Sequence, residues 1–140
     1  MNIALDTNII VYSLAGVPQT AEAASRALEN AANRGGILVL SAPVYAELLA
    51  IPESSKADLD AFIAESGIRV DWEISPSSWT VAGLAFAAYA RRRKRAKIDA
   101  PRRILADFVI GAHALVVGHL LTTDPSFYRT NFPELGVLAL

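Results

Sequence analysis

Short apolar runs recur along this chain, each stopped by polar residues and separated from the next by a stretch with helical spacing, and they constrain the fold more than any other feature. Asn2 to Leu5, Ile37 to Leu40, Ile68 to Trp72 and His119 to Thr122 are too short for helices and carry the Ile, Val and Leu of buried strands. Gly136 to Leu140 adds a candidate edge strand. Thr20 to Arg34 is Ala-rich, with Leu28 on one side and Glu22, Arg26 and Glu29 elsewhere, and it stops at Gly35 and Gly36. That is a helix with a glycine end. Ser41 and Pro43 supply an N-cap and an early-turn proline for a helix through about Ala50, closed by Pro52. Ser55 opens another to about Ser66, with Leu59, Phe62 and Ile63 at helical spacing and Gly67 as its stop. Pro76 and Ser77 begin a longer helix, with Trp79, Gly83, Phe86 and Ala90 as its stripe, which runs into a basic block and then a loop from Lys97 to Arg103. Leu105 to Val117 is helical and apolar apart from Asp107 and His113, so it belongs at the centre. The polar residues after the first and fourth runs, Asp6 to Asn8 and Thr123 to Ser126, read as a loop and a turn. Strands alternating with helices predict an α/β sandwich around a parallel sheet.

The 140 residues suit one domain spanning 1–140, and 53% hydrophobic against 19% charged residues can bury a sizeable core. No cysteine is present, which excludes disulfides and thiolate metal sites and fits a reducing, cytoplasmic setting. The start MNIALDTN has no basic leader and meets Asp6 early, so neither a signal peptide nor a membrane anchor is expected. Mean hydropathy is +0.33, yet no apolar run approaches the roughly 18 residues of a membrane span. The apolar excess belongs to the core or to a partner surface.

Net charge is only −1, but it is unevenly spread. Eight of the 13 Lys and Arg residues lie between Arg91 and Arg103 against one acid, Asp99, giving +7 there and −8 elsewhere. Clustered cations of this kind supply the sequence-independent part of RNA binding, and they also suit a solvated helix C-terminus or an acidic partner.

Asp6 and Asp124 each follow a strand-like run, and in an open parallel sheet sites form beyond the carboxyl ends of the strands. Glu47 sits in the apolar helix VYAELLA, and Asp107 near the start of LADFVIGAHAL, neither with an obvious cation on its own helix face. Each acid alone has a structural explanation: a cap, a favourable anion at a helix start, an Asx turn or an exposed position. Together they make an oxygen-only donor set of the kind hard divalent cations favour. His113 lies on a different helix face from Asp107 and reads as structural, and His119 carries no motif. Ser41, Ser75, Ser77 and Ser78 stand beside helix starts and read as caps.

The segments LDTNIIVY (Leu5 to Tyr12), SAPVYAELL (Ser41 to Leu49), LADFVIGAHAL (Leu105 to Leu115) and LLTTDPSF (Leu120 to Phe127) together resemble, in order and spacing, the motif set of PIN-domain nucleases. The resemblance covers essentially the whole chain and is nearest to VapC-type toxins of bacterial toxin–antitoxin systems. It implies a three-layer α/β/α sandwich, a Mg²⁺- or Mn²⁺-dependent endoribonuclease, a cognate antitoxin and a homodimer. It also implies that Asp6, Glu47, Asp107 and Asp124 are the metal-binding acids, supported by Thr7, Asn8 and Thr122. RNA is expected to meet Arg91, Arg92, Arg93, Lys94, Arg95 and Lys97. One position departs from the pattern: many relatives carry a further acid or amide where this chain has Ser126. Two rivals are a non-catalytic RNA-binding or regulatory protein of the same fold, and a metal-dependent phosphatase acting on small molecules; Asp6 is followed by Thr7 and Asn8 rather than by a DxD nucleophile motif.

Overall fold

A computed structural model describes residues 1–97 and 103–140; the expected loop between Lys97 and Arg103 falls on 98–102, outside the described residues. Five parallel strands, β1 (Ile3–Leu5), β2 (Leu38–Ser41), β3 (Arg69–Asp71), β4 (His119–Thr122) and β5 (Gly136–Ala139), form one sheet in the order β3-β2-β1-β4-β5. The helices are α1 (Thr7–Ala15), α2 (Pro18–Ala32), α3 (Ala42–Leu48), α4 (Lys56–Glu65), α5 (Pro76–Ala96), α6 (Leu105–Val117) and α7 (Pro125–Asn131), and with the sheet they make a three-layer α/β/α sandwich. β1, β2 and β4 are buried almost throughout, which is why their runs are continuous rather than alternating.

The chain builds outward from β1 to β2 and β3 on one side, then returns to lay β4 and β5 on the other. The order therefore reverses between β1 and β4, and their carboxyl ends open a crevice. Register places Leu5 beside Leu121, and the Asp6 amide donates to the Leu121 carbonyl at 3.0 Å. What immediately follows each strand is thus brought to one rim.

Two helices were not legible as such. Asp6 to Asn8, read as a loop, opens the helix Thr7–Ala15, which Asp6 caps and in which Ile9 and Ile10 are wholly buried; apolar residues on several sides leave no polar face to mark a helical period. Thr123 to Ser126, read as a turn, leads into the helix α7, Pro125–Asn131, with Pro125 in its first turn, where a missing amide costs nothing. In α5 the inward stripe also differs from the expected one. Trp79 is 48% exposed and Gly83 faces open space, whereas Ser78 and Ala82 are buried, with Ala85, Phe86 and Tyr89 packed against the core. The stripe begins one residue earlier than the bulk of Trp79 suggested.

Other local expectations meet their partners directly. Ser55 and Asp58 form a reciprocal capping box on α4, and Gly67 takes φ +66 after it. Ser41 stands at the N-cap of α3, but its hydroxyl makes no capping bond. His113 is buried and its Nε2 lies 2.9 Å from Asp71 Oδ2, tying α6 to the edge strand β3.

Helix α6 is the centre of the core, with Phe108 through Ala114 buried. Phe108 meets the rings of Phe86, Tyr89 and Phe127 at 4.9 to 5.3 Å between centroids. Gly111 lets Phe132 close on the same helix, since a Cβ there would lie 2.2 Å from Phe132 Cε2. Gly111→Ala is therefore expected to cost about 1–3 kcal/mol by overpacking, despite alanine's better helix propensity. Denaturant unfolding checks this, and adding Phe132→Leu recovers part of the loss; a variant as stable as wild type would contradict the close approach.

Candidate functional site

The crevice between β1 and β4 is lined by carboxylates. Asp6, only 8% exposed, is the N-cap of α1; its Oδ1 accepts from the Thr7 amide at 2.8 Å, and its Oδ2 accepts from Thr122 Oγ1 at 2.7 Å. Thr122 is completely buried at the end of β4, and its hydroxyl oxygen accepts in turn from the Asp124 amide at 3.0 Å. One hydroxyl thus fixes the acid after β1 and the backbone that carries the acid after β4. Thr7 Oγ1 donates to Glu47 Oε1 at 2.8 Å, joining α1 to α3. Asp107 enters from the first turn of α6. Asp6, Glu47, Asp107 and Asp124 all line one cleft of about 130 Å³, together with Thr7, Asn8, Arg103 and Tyr128.

The electrostatics follow from this crowding. Burial pushes the Asp6 carboxyl above its ordinary 3.8; hydrogen bonds from Thr122, the Thr7 backbone and Tyr128 oppose the rise, and the charge of Asp124 adds to it. Asp107 also rises, first through burial and then through the charges of Asp6 and Glu47, with Arg103 pulling the other way. Burial and the same acids drive the Tyr128 phenol far above its usual range, so it stays protonated as a permanent donor.

Arg103 is the cleft's own cation. Its guanidinium contacts Asp124 and lies 3.9 Å from Asp107. Asp107 thus has a cationic partner from just outside its own helix. Arg103 precedes the helix, so a search of the helix face alone passed over it, although its spacing of four from Asp107 was a usable signal. Tyr128 was missed because its place depends on α7. Of the basic block, Arg91, Arg92, Lys94, Arg95 and Lys97 are exposed at the end of α5, and Arg93 lies over the Tyr89 ring at 5.8 Å.

The donors are all hard oxygens, which by their chemistry fit Mg²⁺ or Mn²⁺. Among the described residues no group of three or more acids or histidines stands in a ready-made ligand sphere. The acids share a cleft without converging on one point, and Arg103 offsets part of their charge.

Comparison with known proteins agrees with this architecture. Residues 3–133 match the PIN domain. This chain belongs to the PIN domain family. Solved structures similar to this PIN domain include VapBC2 from Rickettsia felis bound to a promoter DNA fragment, at 21% identity and TM-score 0.64, covering 99% of this chain and 98% of that one. VapBC-1 from nontypeable Haemophilus influenzae is similar at 20% identity and TM-score 0.63, with the same coverage of 99% and 98%. FitAcB from Neisseria gonorrhoeae follows at 21% identity and TM-score 0.56, covering 97% and 96%. A search of curated proteins gives no match.

The raised carboxyls of this PIN domain have a stability consequence. A carboxyl whose pKa is higher folded than unfolded holds its proton longer in the folded state, so stability falls as pH rises above the ordinary 3.8. In EDTA, Asp107→Asn should be more stable than wild type, with the advantage growing as pH rises from about 4 to about 7. Chemical denaturation across that range measures it. A variant less stable than wild type at every pH would show that Arg103 outweighs burial and like-charge repulsion.

Proposed function

We propose that this PIN domain is a Mg²⁺- or Mn²⁺-dependent endoribonuclease, the toxin of a type II toxin–antitoxin pair. One observation carries the reading: four acids from four separate parts of the chain line the same cleft at the point where the strand order reverses. Acids are seldom placed together and partly buried without a cationic partner. Arg103 is one such cation, and its contacts with Asp124 and Asp107 leave Asp6 and Glu47 with neutral hydrogen-bond donors.

Asp6, Glu47, Asp107 and Asp124 would hold the ion, which supplies a water of lowered pKa and neutralises charge growing on the phosphate. The chain's own residues prepare the place. Thr122 and the Thr7 amide between them engage both oxygens of Asp6, the side chain of Thr7 orients Glu47, and Asn8 adds an amide to the rim. Tyr128, held protonated, donates toward the buried acid without competing for the proton of a nucleophile. Among the described residues no serine or histidine lines the cleft to act as nucleophile or base. The cations at the end of α5, Arg91 to Arg95 with Lys97, favour an extended polyanion over a small phosphate ester.

The toxin role and an antitoxin partner rest on the resemblance to VapC-type proteins and on the similarity of the fold to VapBC2, VapBC-1 and FitAcB. No helix among the described residues is long and apolar enough to cross a membrane.

Purified protein is expected to cleave single-stranded or looped RNA with Mg²⁺ or Mn²⁺ and to stop in EDTA. Thr122→Val, which removes only the hydroxyl that orients Asp6, should lower the rate roughly 10- to 100-fold, and Asp6→Asn should lower it further. Gel assays with matched circular dichroism check both, and full cleavage by Asp6→Asn would remove the acids from the reaction.

A further inference from the structure

Beside the acid cleft lies a second one of about 280 Å³, and Arg103 lines both. Its walls come from the last turns of α5, which contribute Tyr89 and Arg92, and from α7, which contributes Ser126, Thr130 and Asn131, with Phe127 also lining it. The cleft is held in shape by specific bonds. The Arg103 amide donates to the Tyr89 hydroxyl at 2.9 Å, and the Arg103 guanidinium lies 4.3 Å from the centroid of the Phe127 ring before reaching Asp124.

Arg92 is the decisive group. Its guanidinium donates to Asn131 Oδ1 at 2.5 Å, and Asn131 is itself fixed by donating to the Phe127 carbonyl at 2.9 Å. An amide orients a guanidinium without neutralising it, so Arg92 is aimed along the cleft with its charge intact. Among the described residues the cleft around it is lined by Arg93, Arg103, the exposed hydroxyls of Ser126 and Thr130 and two aromatic rings, with no carboxylate. Cations and hydroxyl donors on one small cleft match the phosphate of a single nucleotide, which takes charge-assisted bonds from them. The cleft is too small for a folded partner.

We propose that this second cleft is a subsite for the nucleotide next to the scissile phosphodiester, its phosphate bound by Arg92 with the hydroxyls of Ser126 and Thr130. Arg103, common to both clefts, sets the boundary between the bound nucleotide and the bond that is cut. The proposal rests on the RNA-cleaving reading above and adds which part of the basic surface carries the substrate.

The test measures affinity without turnover, by fluorescence anisotropy of a labelled single-stranded oligoribonucleotide in EDTA, beside Mn²⁺-dependent cleavage of the same RNA. Arg92→Gln should weaken binding about fivefold and flatten the slope of log affinity against log salt by roughly 0.7, one phosphate contact. Thr130→Glu, an exposed change that puts a negative charge in the cleft, should weaken it about tenfold. Arg129→Gln removes the same charge from the same helix outside the cleft and should change affinity less than about twofold. Circular dichroism and the Mn²⁺ midpoint should be unchanged in all three. If wild type cleaves RNA while Arg92→Gln and Thr130→Glu bind it as wild type does, the subsite is wrong and the nuclease stands. Equal losses in Arg92→Gln and Arg129→Gln would make the surface a diffuse charge field, which also overturns the subsite. Weakened capture of a labelled glutamate-rich decapeptide by Arg92→Gln, with RNA affinity intact, would assign the cleft to a protein partner. A wild type that neither binds nor cleaves RNA would fail the nuclease reading itself.

Discussion

A carboxylate held almost out of water is the constraint around which this molecule is arranged. Burying Asp6 is unfavourable for its charge, and the cost is met by placing donors at both oxygens: the Thr7 amide on one and the Thr122 hydroxyl on the other. The first donor is the next residue along the chain, but the Thr122 hydroxyl is in reach only because β1 and β4 run parallel and end side by side. The sheet topology and the site are therefore one requirement. Thr122 lies 116 positions from Asp6 along the chain, so the bond between them closes nearly the whole sequence into a single unit.

The second level of organisation is the way each acid is held by a different kind of neighbour. Asp6 has buried neutral donors, Glu47 has the hydroxyl of Thr7, and Asp107 and Asp124 have Arg103. Groups with neutral donors keep their charge available, whereas those beside the arginine are already partly compensated. The cleft is graded as a result, from a fixed buried carboxylate at its floor to half-exposed, arginine-paired ones at its mouth. This gradation accounts for a rise in the Asp107 carboxyl even with a guanidinium nearby, because burial and two like charges act together against one cation.

Much of this was legible in the sequence, and the reasons are specific. The strands could be read because burial on both faces leaves uninterrupted Ile, Val and Leu, and α6 because nothing but an aliphatic centre explains LADFVIGAHAL. The four acids stood out because polar residues in such settings need an explanation, and the motif resemblance linked them. What escaped was whatever depends on three-dimensional company. Helix α1 carries β-branched residues without a polar face, and α7 hides behind a polar turn. The α5 stripe was misplaced by one residue because Trp79 is large and yet faces outward. Arg103 looked like one more member of a basic run, although its position four residues before Asp107 sets it apart.

The short strand β3 carries a further meaning. It is one margin of the sheet, only three residues long, and two of the three are charged: Arg69 lies 3.2 Å from Asp71, which in turn engages His113. Unpaired backbone at a sheet margin is a template on which other chains can add as strands, and charge and brevity are the ordinary defences against it. A chain with so apolar an interior has particular need of that defence while it is being made. The Asp71 to His113 contact therefore has a second consequence besides tying α6 to the sheet: it holds one of these charged side chains in place at the margin.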